Sequence, residues 1–221
     1  MSPRFIRSLS LFTVLLGCGA PLPTSQTDAS PCALGGVAGA FAARVVSFTP
    51  GEGAGFGAQR MPGVVLGPPQ GAGERMGSTD VVSLGLRGEI VLGFDRELVD
   101  GPGPDLAVFE NAFSVDGSEA RAWAEFGEVA VSEDGAAWTV FPCAHQSDGA
   151  GCAGRARVHS SSANGVCALD PSVSGGDLFD LAAVRVRRAR FVRIRDVSSL
   201  GLTPPASGFD LDAVALLNRS P

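Results

Sequence analysis

Seven carboxylates fall where a chain built of short strands would turn: Asp100, Asp105, Glu110, Asp177, Asp180, Asp210 and Asp212. Calcium takes about six to eight oxygens from carboxylates, amide oxygens and backbone carbonyls, and Gly- and Pro-rich stretches such as 101–104 present carbonyls readily. Period-two counting adds a second hint. It sets Asp212 on the strand face of Val214 and Leu216, and Glu110 on that of Leu106 and Val108. Glu125 shares a face with Val129 and Val131 unless a bulge intervenes. A carboxylate drawn among apolar side chains must find a counter-charge, hold a cation or shift its pKa. The competing reading is plainer: Asp caps turns, Glu faces solvent, and Arg190, Arg193 or Arg195 answers any remaining charge. No EF-hand spacing separates the two.

Other chemistries have less behind them. No G-x-S-x-G elbow occurs. The Gly-rich run 51–57 lacks the Lys and helix of a phosphate loop. Cys143 with His145 suggests a thiol nucleophile, but a Cys with partners in an exported chain is bridged more often than free. Asp100 and Asp105 would suit a glycosidase only at a carboxyl separation that sequence does not supply. Sugar platforms rest on Trp or Tyr faces, and this chain has no Tyr and only Trp123 and Trp138. The strand pattern puts Trp138 in the core, which leaves Trp123 as the aromatic ligand-binding candidate. Loops 51–77 and 114–121 are the expected ligand-facing elements, because loops on a rigid scaffold carry recognition.

The first residues address the chain. Arg4 and Arg7 precede a short apolar run, 9–16, too short to span a bilayer, which reads as a secretory signal. Leu15-Leu16-Gly17-Cys18 resembles the lipobox of bacterial lipoproteins, and implies lipidation of Cys18 and a lipid anchor in the membrane. Residues 1–17 are then a signal peptide, 18–31 a flexible tether rich in Pro, Ser and Thr, and 32–221 a single domain. Four Cys remain, Cys32, Cys143, Cys152 and Cys167, and allow three disulfide connectivities. Cys143 and Cys152 flank a short polar loop and are the preferred pair, which leaves Cys32 with Cys167. Wide Cys spacing and only two His, His145 and His159, speak against zinc. The formal charge is −6 and every basic residue is Arg, so a nucleic-acid partner is not expected.

These residues must be positioned by strands. The chain has 30 Gly and 15 Pro among 221 residues, and short β-branched or aromatic runs alternate with turns. Strands are expected at 45–48, 64–66, 106–109, 128–132, 137–141, 182–186, 191–196 and 211–217, with a hairpin from 81–86 and 89–94. No segment offers a long amphipathic helix. The fold class is all-β, an antiparallel β-sandwich of jelly-roll type.

Two resemblances accompany this pattern. Residues 128–140, E-V-A-V-S-E-D-G-A-A-W-T-V, resemble the strand, turn and strand of discoidin-like domains (coagulation factor type C, galactose-binding-like), and 189–194, A-R-F-V-R-I, resembles a later strand of theirs. Residues 100–111, D-G-P-G-P-D-L-A-V-F-E-N, and 208–214, G-F-D-L-D-A-V, resemble segments of bacterial cell-surface proteins carrying a D-G-P-G-P-D-F-x-V-F-E-N motif, with Leu106 in place of Phe. The first likeness implies a jelly roll in which calcium ties a terminal strand to a loop. Its ligand set here would be drawn from Asp105, Glu110, Glu125, Asp210 and Asp212. The second implies a place in the cell envelope, at the outer membrane or cell surface. Together they lead to an exported lipoprotein with a non-catalytic binding or adhesion domain, stabilised by calcium and facing glycan or a surface protein. A glycan-active hydrolase on the same scaffold and a purely structural envelope protein are the alternatives.

Overall fold

The computed structural model describes residues 32, 37–71, 78–110, 113–114, 122–123, 125–198 and 208–221. The expected signal peptide 1–17, Cys18 and the tether lie outside them. Eleven strands follow in chain order: β1 (Arg44–Thr49), β2 (Val82–Ser83), β3 (Glu89–Val99), β4 (Leu106–Glu110), β5 (Phe113–Ser114), β6 (Ala122–Trp123), β7 (Gly127–Ser132), β8 (Thr139–Val140), β9 (Asp177–Phe179), β10 (Arg188–Asp196) and β11 (Asp210–Leu216). Every pairing is antiparallel. One sheet runs β1-β3-β10-β7-β8, a second runs β2-β11-β4-β9, and β5 pairs with β6. The two larger sheets pack as a β-sandwich.

Patterning explains the two layers. β10 alternates, sending Ala189, Val192 and Ile194 inward and arginines outward, so its sheet has one dry and one wet face. In β4 and β11 both faces are apolar: Leu106, Val108, Val214 and Leu216 enter the core between the sheets. Ala107, Phe109, Ala213 and Ala215 pack outward against Phe41, Val158 and Leu169. The four-stranded sheet is therefore covered on its outer side by the segments before β1 and after β8. Cys32–Cys167 joins those two segments, and Cys143–Cys152 closes a shorter loop, with Cα separations of 5.7 and 4.5 Å. Both expected pairs are present. Disulfides of this kind belong to an oxidising, extracellular-type compartment. No helix among the described residues is long and apolar enough to cross a membrane.

Two expected strands and one expected hairpin differ. Residues Gly63–Val65 and Leu181–Val184 form 3-10 helices. Pro62, at φ −82° and ψ −10°, starts the first, and the Asp180 carboxylate caps the second by accepting from the Ala182 amide at 2.8 Å. Runs 81–86 and 89–94 do not pair as a hairpin. β2 joins β11, whereas β3 joins β1 and β10, because Leu84 and Leu86 spend their backbone groups on Gly51 and Glu52 and the chain passes from one sheet to the other. The expected β7–β8 hairpin does form. Asp134 accepts from the Ala136 and Ala137 amides across its turn, and Gly135 takes φ 78° there. Trp138, expected in the core, lies half-buried on the outer face, with the Arg193 guanidinium 4.8 Å from its ring centre. It precedes the short edge strand β8, where no second sheet covers it.

Candidate functional site

Strand register sets two ends. Leu106 stands opposite Leu216 and Glu110 opposite Leu211, so Asp105 precedes β4 at one end while Glu110, Asp210 and Asp212 lie toward the other. Glu125 comes just before β7, whose first residue, Gly127, faces Asp196 at that same far end of β10. The five expected ligands thus divide, with Asp105 apart from the rest.

At the near end the chain leaves β3 through Gly101-Pro102-Gly103-Pro104 and re-enters as β4, which turns Asp105 inward with no exposed surface. Its Oδ1 accepts from the Gly101 amide at 2.9 Å and from Asn218 Nδ2 at 2.7 Å, and its Oδ2 accepts from the Leu181 amide at 2.8 Å. One carboxylate thereby ties three segments: the turn after β3, the 3-10 helix and the tail after β11. Asp100 and Asp180 complete a group with it, each offering one carboxylate oxygen, all within 4.8 Å of one another. Two oxygens on opposite sides of a calcium ion are about 4.8 Å apart, twice an ordinary Ca–O distance of about 2.4 Å. The donor set fits. Asp100 is exposed, Asp180 half-buried, and each retains acceptor capacity beyond the backbone bonds described. The group can hold a divalent cation through three carboxylates, with water and nearby carbonyls supplying the remaining oxygens.

At the far end the buried acids act singly on backbone amides. Asp212 accepts from Gln70 at 3.0 Å and from Gly71 at 2.9 Å, and burial, aided by the nearby Asp80 charge, pushes its pKa up to about 7. A β-bulge between Leu211 and Ala213 removes the alternation that set Asp212 on the Val214 face. Glu125 accepts from Gly208 at 3.1 Å. Asp196 accepts from Arg87 and Phe209, both at 2.9 Å, and from the Ser198 hydroxyl at 2.6 Å. Glu110 is buried and Asp210 half-buried, and neither belongs to a metal-sized group among the described residues. Asp177, on the edge strand β9, takes three successive amides, Gly154, Arg155 and Ala156, at 2.8–3.1 Å, yet burial raises its pKa to about 6. Trp123 pairs with Phe113 through the backbone of β6, and its side chain lies outside the described residues. Loop 114–121 lies almost wholly outside them, and loop 51–77 is described only as far as Gly71.

Asp100, five residues before Asp105, is visible in the sequence as its neighbour, but nothing in spacing brings Asp180 to Asp105 across 75 residues of chain. Asp196 had one local signal, a Ser two residues on, typical of an Asx turn. Compared with known proteins, the chain matches no family model and no curated protein.

Proposed function

We propose that this chain is an exported protein tethered to the cell envelope through a lipid on Cys18, whose discoidin-like jelly roll serves as a calcium-stabilised binding or adhesion domain. The Asp100, Asp105 and Asp180 group carries the reading. It unites acids from two separate loops at one end of a disulfide-braced sandwich, and a cation there would join the turn after β3 to the segment before β10. Stapling loops at a sandwich end prepares a rigid recognition surface. The partners on this reading are glycan or a surface protein, without nucleic acid.

The direct test is thermal melting in calcium against chelator. Calcium at about 100 times its dissociation constant stabilises a folded site by about 2.7 kcal/mol, which raises Tm by several degrees. The double variant D100N/D180N should lose that shift while keeping the Asp105 bonds. An identical melting curve with and without millimolar calcium removes the cation from the reading. Mass spectrometry of the mature N-terminus tests the anchor, and an unmodified Cys18 removes it. A purely structural role has one observation in its favour: most buried acids here are consumed by backbone amides.

A further inference from the structure

The segment that carries Asp180 also lines an open groove of about 540 Å³, between residues 185–188 and the β7–β8 turn. Small-ligand sites commonly span about 300–1,000 Å³. Arg185, Arg187 and Arg188 line it together with Glu133, Asp134 and Thr139. Six other arginines among the described residues are ion-paired: Arg44 with Asp95, Arg60 with Asp80, Arg155 with Asp148, Arg190 with Glu97, and Arg193 and Arg195 with Glu89. Arg188 itself lies 4.0 Å from Glu97 and 3.9 Å from Glu133. Arg185 and Arg187 are exposed, and neither guanidinium has an ion-pair or hydrogen-bond partner among the described residues.

Backbone conformation shows how Arg185 reaches the groove. Arg185 has φ 58°, a left-handed conformation that Gly or Asn adopts at lower cost. Both left-handed arginines are fixed through their amides: Arg185, which ends the 3-10 helix, donates to the Ala182 carbonyl at 3.1 Å, and Arg87, at φ 64°, donates to Asp196. What distinguishes Arg185 is its place: the turn that ends the helix sets its side chain on the same groove as the unpaired Arg187, two residues on. Two unpaired guanidinium groups lining one groove favour an anionic ligand there.

We propose that this groove binds an acidic saccharide, with the sugar carboxylate held by Arg185 and Arg187 and its hydroxyls by Glu133 and Thr139. Glu133 and Asp134 make the groove amphoteric, so it selects a ligand with one carboxylate beside neutral hydroxyls over a dense polyanion, which both acids repel. The inference rests on the reading of the protein as a binding domain and is independent of the cation site.

The test is calorimetric titration of the full mature chain, in chelator, with trigalacturonate, uncharged maltotriose and a heparin hexasaccharide. Trigalacturonate should bind, with maltotriose and heparin each weaker by about tenfold or more. Arg187→Glu should weaken trigalacturonate by at least about tenfold, and Arg185→Asn, which keeps the left-handed turn, should weaken it by a similar factor. Equal binding of the neutral trisaccharide overturns the proposal. So does tighter binding of heparin, which marks a nonspecific cationic patch, or unchanged affinity in Arg187→Glu with unchanged Tm. Absence of binding by all three probes also overturns it. A calcium-dependent Tm shift that survives in Arg187→Glu shows that such a failure belongs to the groove and not to the cation site.

Discussion

The two ends of the sandwich use buried carboxylates to different effect. At the far end the acids serve as backbone acceptors: Glu125 and Asp196 hold the successive amides of Gly208 and Phe209, Asp196 also holds Arg87, and Asp212 holds Gln70 and Gly71. At the near end Asp105 holds three segments and also stands within reach of two further carboxylates. The difference follows from backbone accounting. A Gly-rich chain with short strands leaves many amides without ladder partners, and a buried carboxylate is a compact acceptor for two or three of them. An acid used only in that way is structural. Chemistry becomes available where an acid so fixed has neighbours with spare oxygens, which is the arrangement around Asp105.

The largest expected effect breaks the near end at its centre. Asp105→Ala removes a fully buried carboxylate and takes the acceptor from the buried Leu181 amide and from the half-buried Gly101 amide and Asn218 side chain, and should destabilise by about 3–5 kcal/mol. Urea unfolding measures it. D100N/D180N, which touches the same group from its solvent side, should cost under about 1 kcal/mol in chelator, because neither carboxylate is fully buried. Equal losses for the two variants would erase the distinction between clasp and ligand at this end.

A smaller effect sharpens the far end, through pH. Asp212 and Asp177 have folded pKa values raised to about 7 and about 6, above the ordinary 3.8. Between pH 4 and 7 the folded chain therefore binds more protons than the unfolded one, and stability falls as pH rises. The contribution is fully present below about pH 4 and is lost by pH 7 for Asp212 and by pH 6 for Asp177. Exposed Asp134, Asp148 and Asp170 have lowered pKa values from turn hydrogen bonds, so their contribution runs the other way and is lost as pH falls below the ordinary 3.8. The net expectation is a gain of about 2–4 kcal/mol in unfolding free energy on going from pH 7 to pH 4.5. Asp212→Asn should remove the larger part of that slope, and a slope of opposite sign would show that the amide bonds outweigh burial.

Much of this was legible in the residues. Short β-branched runs between Gly, Pro and Asp turns gave the sandwich, and Asp134-Gly135 gave the β7–β8 hairpin. Local pattern failed where the chain changes sheets. Val81–Leu86 is apolar enough for a hairpin arm, but whether its amides meet β3 or β11 is decided by packing between distant elements. Residues 182–186 look extended by composition, yet the Asp180 cap and the Asp105 bond to Leu181 turn them into a 3-10 helix. The site followed the same rule. Asp105 was nominated for its place before a strand, whereas its grouping with Asp180 depends on β9 lying beside β4, a long-range pairing that periodicity does not encode.

The smallest expected effect leaves both ends for the open face of the five-stranded sheet. There charge is paired at a partly covered surface: Glu89 lies 2.9 Å from Arg195 and 3.7 Å from Arg193, and Arg193 covers Trp138. Water screens such pairs, and long side chains lose rotamer freedom to hold them. Glu89→Gln should therefore cost about 0.5–1 kcal/mol, a loss that shrinks further in high salt. Arg193→Gln should cost about as much through the lost contact with Trp138. Both are read as midpoint shifts in urea at low and high ionic strength. Were either variant to cost as much as Asp105→Ala, the outer face would have to be counted with the buried clasps, and depth of burial would no longer be what separates structural from surface carboxylates in this fold.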